Sequence, residues 1–281
     1  MIVSSSPAHV RPLTFALVWG LTIAGAAGSA GCGKGKAASA VGGASLDGKT
    51  AVSSESRWTS FDRGLPADSF PSPSRRYSQI VAPRWTDEPA RDASKEAETV
   101  MNALPLRPGM RVADIGAGDG YYVTRMSERV GPAGHVYGQD IIPEYLDLLA
   151  DRIRAAKLKN VTVVRGEGFD PRLPRDSIDA AIMIHMYHEI SDPYAQLWNL
   201  AHSLSPGARL AILDTTFPTD QHGTPPWLLE CELGVVGYRK LRSVSTGKDE
   251  YLTIFEAPSR EELPTPSTIR ARAAAGACLM R

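Results

Sequence analysis

The chain has 281 residues, 43% of them hydrophobic, enough for one large domain or two small ones around a buried core. Lysine plus arginine and aspartate plus glutamate balance at 31 each, so the net charge carries no footprint for nucleic acid or another polyanion. The three cysteines, Cys32, Cys231 and Cys278, are too few and too scattered to predict a disulfide framework or a zinc site with paired ligands.

In chain order, Arg11 precedes an uncharged run from Leu13 to Ala30 that leads through Gly31 into Cys32. This stretch resembles a bacterial lipoprotein signal peptide, which implies export to the cell envelope and membrane attachment through a lipidated Cys32. A retained spanning helix is the alternative, and a cytoplasmic address follows if the segment is not an export signal. The Gly, Ala, Ser and Thr residues in the second half of the run suit a cleavage site better than a lipid-facing helix. Residues 33–56 are poor in large apolar side chains and read as a flexible linker. From 57 to 91, Trp58, Phe61, Phe70, Tyr77 and Trp85 stand among prolines, predicting an irregular aromatic arm laid on the main domain, its rings candidates for covering a cleft.

The main domain is expected over 92–263. A helix is predicted at 93–104, with Ala97, Val100, Met101 and Leu104 on one face and Pro105 as its stop. "RVADI", "HVYGQD", "VTVVRG", "IDAAIMI" and "RLAILD" read as strands, separated by helices at 121–130, 143–157 and 193–204. Another helix is expected at 226–236, followed by "YRKLRSV" and "EYLTIFEA" as an antiparallel pair closing the sheet edge. Strands alternating with helices require parallel pairing, so the fold class is α/β: a doubly wound, mostly parallel seven-stranded sheet with an antiparallel edge strand. Residues 264–281 read as a disordered tail.

After the first strand, Gly116, Gly118 and Gly120 run G-x-G-x-G, and the bulky Tyr121 stands where a dinucleotide fold has Gly or Ala. The pattern resembles motif I of class I S-adenosylmethionine-dependent methyltransferases, which implies a Rossmann-like fold and S-adenosylmethionine as the cofactor. By that resemblance Asp114 orients the methionine end of the cofactor and Asp140, closing the second strand, holds the ribose. Glu167 falls where the family has an acidic residue near the adenine, and "LSPGARLAILD" resembles the family's approach to its fifth strand. "GMRVADIGAGDGYYV" with "GPAGHVYGQD" is also similar to protein isoaspartate methyltransferases. Nothing downstream matches their substrate loop, so their substrate is not implied.

Ligands of such sheets sit beyond the carboxyl ends of the strands, so the fourth strand delivers "HMYHEI" to the site. His185 or His188 is the expected base for the acceptor's proton, Glu189 a partner that orients it, and Tyr187 a pocket wall. His185, His188 and Glu189 stand in the order H-x-x-H-E, which matches neither zinc-protease pattern, so no metal is expected. His222 reads as exposed and Cys231 as helix packing. The implied activity is methyl transfer to a small molecule, foremost at oxygen, without nucleic acid as partner. The alternative is an exported, non-catalytic binding module, since S-adenosylmethionine belongs to the cytoplasm and Cys32 points outside it.

Overall fold

The computed structural model describes residues 58–80 and 88–279. The expected export segment with Cys32, the linker and Trp85 lie outside the described residues. Seven strands form one sheet in the order β3-β2-β1-β4-β5-β7-β6. They are β1 (Arg111–Ile115), β2 (His135–Asp140), β3 (Val161–Arg165), β4 (Ile178–Ile184), β5 (Leu204–Thr215), β6 (Arg239–Ser245) and β7 (Glu250–Glu256). The first five pair parallel, and β7 runs antiparallel between β5 and β6. β6 is exposed along its whole length, and Arg239, Lys240 and Arg242 keep that edge from recruiting another strand.

β1 and β4 read as continuous apolar runs because helices cover both faces. On one face α2 (Glu96–Ala103), α3 (Tyr121–Val130) and α4 (Pro143–Ala155) bury Val100, Val123, Met126 and Leu149 against Val112 and Ile182. On the other, α5 (Pro193–Ala201) and α6 (Pro226–Val236) bury Leu197, Leu200, Leu229 and Leu233 against Ile115 and Met183. Proline in the first turn of α4, α5 and α6 presets φ where a backbone N–H has no intrahelical partner anyway.

The helix expected at 93–104 is two. α1 (Glu88–Ala93) and α2 meet at Lys95, whose φ of 56° breaks the ladder. The break turns α1 over the start of α3, where the Tyr121 ring lies between two guanidiniums, Arg91 at 3.9 Å and Arg125 at 3.8 Å from its centroid. Its hydroxyl donates to Asp92. The turn accommodates a tyrosine because Arg91 and Asp92 of α1, with Arg125 of α3, enclose it.

The disordered tail expected from 264 is corrected. Thr265 caps α7 (Pro266–Ala274) by accepting from Thr268 N, and Ile269 is fully buried. Cys278 beyond it forms a disulfide with Cys231 of α6, so these scattered cysteines are a pair after all. Their separation of 47 residues left no local trace of the contact. The bond removes both thiols from chemistry, and such bonds persist in oxidising compartments.

The arm packs as expected: Phe61 meets Tyr137 edge-on at 6.0 Å and Phe70 tilts against Trp198 at 5.5 Å. Thr59 bridges Val164, extending the sheet past β3. Among the described residues no helix is long and apolar enough to cross a membrane.

Candidate active site

The strand order reverses between β1 and β4, and at the carboxyl ends of these strands and β2 lies a cleft of about 310 Å³. Its floor is the glycine turn. Gly116, Gly118 and Gly120 hold φ of +71°, +55° and +95°. Any Cβ at Gly120 would come within 2.5 Å of Leu149 Cδ1, so this turn requires glycine for both conformation and space.

Asp140 ties that turn to β2. Its Oδ2 accepts from Gly118 N at 2.9 Å, and its Oδ1 accepts from Ile141 N at 2.7 Å and Ile142 N at 3.0 Å. Burial still raises its pKa, with the three backbone N–H groups opposing. Asp114 is 3% exposed and its carboxylate accepts no hydrogen bond among the described residues. Burial, opposed by the charge of Arg91 and helped by that of Asp140, pushes its pKa up to about 8.

Glu167 borders the cleft, but both its oxygens are engaged, one by Arg63 at 2.8 Å and one by Arg172 at 2.6 Å. Burial works against ionisation there, yet the two arginines hold the carboxyl below its ordinary range. Glu167 thus clamps the arm to the loop after β3.

The two candidate histidines separate. His185 borders the cleft with φ of 53°. Its Nε2 stands 3.6 Å from Glu96 and 3.7 Å from Glu250. Glu96 also accepts from Arg91 and from the Tyr122 hydroxyl. Burial disfavours the Glu96 carboxylate, but bonds from His185 and Arg91 prevail and bring its pKa to about 2.

His188 is fully buried with Nδ1 on Asp214, which corrects its assignment as a base for the acceptor. Tyr187 is corrected likewise. It is no pocket wall but a core residue whose hydroxyl donates to Glu232. Both follow from the 3-10 turn Tyr187–Glu189, which sends successive side chains in different directions and leaves Glu189 on the cleft.

Sequence reasoning missed several lining residues. Tyr77 to Ile80 of the arm form one wall, and Arg91 and Tyr145 reach in from α1 and α4. Gln196 is 3% exposed, and its Oε1 has no hydrogen-bond partner among the described residues. A lone glutamine inside the apolar helix "PYAQLWNLA" was the available signal.

A family model described as a methyltransferase domain matches residues 106–257, more than half of the chain. The protein-L-isoaspartate O-methyltransferase of Methanothrix thermoacetophila is 35% identical over 112 residues, 39% of this chain and 49% of that protein. The demethylmenaquinone methyltransferase of Listeria welshimeri is 27% identical over 124 residues, 44% of this chain and 52% of that protein. The chain thus spans about half the length of these curated relatives. A solved SAM-dependent methyltransferase from Aquifex aeolicus superposes with a TM-score of 0.58 at 30% identity, over 61% of this chain and 95% of that one. Matches of this extent, on a sheet whose switch point carries the glycine turn and its paired carboxylates, show that the chain belongs to the methyltransferase-domain family and is an S-adenosylmethionine-dependent methyltransferase.

Proposed function

We propose that the protein methylates a small molecule, foremost at oxygen, with His185 receiving the acceptor's proton. The observation that carries this is the position of His185: it borders the same cleft as the glycine turn and Asp140, with Glu96 and Glu250 beside it to steady an imidazolium. The named relatives act on isoaspartyl protein and on demethylmenaquinone, and at half their length neither acceptor carries over to this chain.

The cleft fits the cofactor on its own features. The Asp140 carboxylate, fixed by three backbone N–H groups, retains one lone pair, on Oδ2, for a ribose hydroxyl. Asp114 offers an anion to an ammonium end, and the unpartnered Gln196 Oε1 supplies a further acceptor. When bound, S-adenosylmethionine supplies a methyl group activated by its sulfonium. The protein's share is to align the acceptor, exclude water with the arm wall, and take the proton.

Label transfer from methyl-labelled cofactor into fractionated extract tests the reading. Radioactivity is expected in the small-molecule fraction. His185→Asn, a residue tolerant of the left-handed backbone, is expected to lower kcat on the order of 10²-fold with cofactor affinity unchanged. Label confined to macromolecules would overturn the acceptor class, and an unchanged kcat would overturn the role of His185.

Cofactor binding is also expected to expel a proton from Asp114. A carboxyl whose folded pKa is about 8 and whose ordinary value is 3.8 holds its proton at pH 7, and in the free protein its contribution to stability is lost as pH rises through that interval. An ammonium needs the ionised form. Affinity should therefore rise about tenfold per pH unit above pH 6, level off as pH passes the Asp114 pKa of about 8, and fall beyond it as the ligand's own amine loses its proton. Calorimetry in buffers of different ionisation enthalpy should show close to one proton released at pH 7, and Asp114→Asn should abolish the release. Proton-neutral binding by the unaltered protein would contradict this.

A further inference from the structure

From the side chains of the turn after β4 and the loop after β5, we infer that His188, Glu189 and His222 form a binding site for a divalent transition-metal ion of the zinc class. One ligand atom from each residue lies within 4.8 Å of the other two. A tetrahedral zinc with bonds near 2.0–2.1 Å needs ligand atoms about 3.3 Å apart. The ligand atoms would thus draw together by up to about 1.5 Å on binding.

His188 carries the argument. It is 0% exposed, and its Nδ1 stands 2.9 and 3.2 Å from the two oxygens of Asp214. Asp214, also fully buried, accepts in addition from Thr215 N and from Thr224 Oγ1, each at 2.8 Å. A carboxylate in that setting only accepts, so the His188 proton sits on Nδ1 and the nitrogen left for ligation is Nε2. That Nε2 is buried and has no hydrogen-bond partner among the described residues. Carboxylate, then imidazole with its second nitrogen bare, is the arrangement by which proteins orient a metal-ligating histidine.

The second imidazole is brought up by the loop after β5. Thr215 Oγ1 donates to His222 O, and His222 N donates to Ser78 Oγ, which itself donates to Thr219 O. The ring then stands edge to face against His188, centroids 5.5 Å apart. Two imidazoles and a carboxylate suit zinc, iron(II) or manganese(II), and leave a coordination position for water or another ligand. Of the three residues, Glu189 is the one that borders the cleft. The H-x-x-H-E order did not point here, because His185 is not a ligand and His222 is 34 residues further along the chain than His188.

The site requires neither methyl donor nor acceptor, so its test stands apart from the transferase chemistry. The full chain, tag-free and metal-stripped, is titrated with Zn²⁺ against a chromophoric chelator and separately with Co²⁺. One equivalent is expected at submicromolar Zn²⁺, with visible Co²⁺ bands lacking a thiolate charge-transfer transition. His222→Ala should bind at least 100-fold more weakly while its circular dichroism is unchanged. If that variant misfolds, Glu189→Gln, which alters almost no volume, should show the same loss. Asp214→Asn should weaken binding 10- to 100-fold by releasing the orientation of His188. No binding tighter than millimolar, or tight binding indifferent to His222 and Glu189, would overturn the proposal.

Discussion

Replacing Arg75 by methionine is expected to destabilise the fold by about 3–5 kcal/mol, the cost of leaving a buried charge without its partner. The Arg75 guanidinium donates from Nε to Glu232 at 2.8 Å, and the two side chains are only 5% and 1% exposed. Burial alone would lower the pKa of this arginine, but Glu232 and Tyr187 outweigh it and raise it. The second oxygen of Glu232 accepts from Tyr187 at 2.8 Å, and the guanidinium lies over the Tyr187 ring at 5.5 Å. Methionine would keep the contact with the ring and strand the carboxylate. Urea unfolding followed by circular dichroism measures the loss. The double variant Arg75→Met with Glu232→Gln should recover most of it, because an amide needs no counter-charge. A single-variant cost below about 1 kcal/mol would mean that this triad does not anchor the arm. The anchor matters to the site because Tyr187 begins the turn that presents Glu189 to the cleft, while residues just past Arg75 form its wall.

The second large effect concerns Asp140. Asp140→Ala is expected to weaken S-adenosylmethionine binding about 10- to 10²-fold, measured by calorimetry. Three backbone N–H groups fill all but one acceptor site of the carboxylate, and a ribose hydroxyl donating to the remaining one gains about 1.5–3 kcal/mol that alanine cannot supply. The substitution also frees Gly118 N, so the glycine turn loses its tie to the end of β2. Asp140→Asn keeps one oxygen, which can still accept from Ile141 N and Ile142 N, but its NH2 then faces the Gly118 N–H that Oδ2 had bonded. The charge and the tie to the glycine turn are lost together while the bonds to Ile141 and Ile142 persist, so a loss of affinity smaller than that of alanine is expected. Cofactor affinity unchanged in Asp140→Ala would remove the ribose from this position.

The strands and most helices were legible locally. β4, α3 and α6 begin and end on the residues that apolar runs, glycines and prolines predict. The glycine turn was legible because its chemistry is confined to five consecutive positions, and Asp140 because a strand of fixed length places it. The pairing of cofactor class with Asp114 came from the resemblance, while its raised pKa came from packing that no spacing records.

By itself the sequence determined the α/β class, the alternation of strands and helices, and the turn that makes a cofactor cleft. These depend on side-chain periodicity and on backbone freedom within a few residues, properties a chain carries before it folds. Only the tertiary structure decided that His185 faces the cleft while His188 meets Asp214, that Glu167 clamps an arm, and that Cys278 reaches Cys231. Each of these is a contact between segments 26 to 104 residues apart or a choice of direction within one short turn, and burial and partner geometry settle it when the layers close.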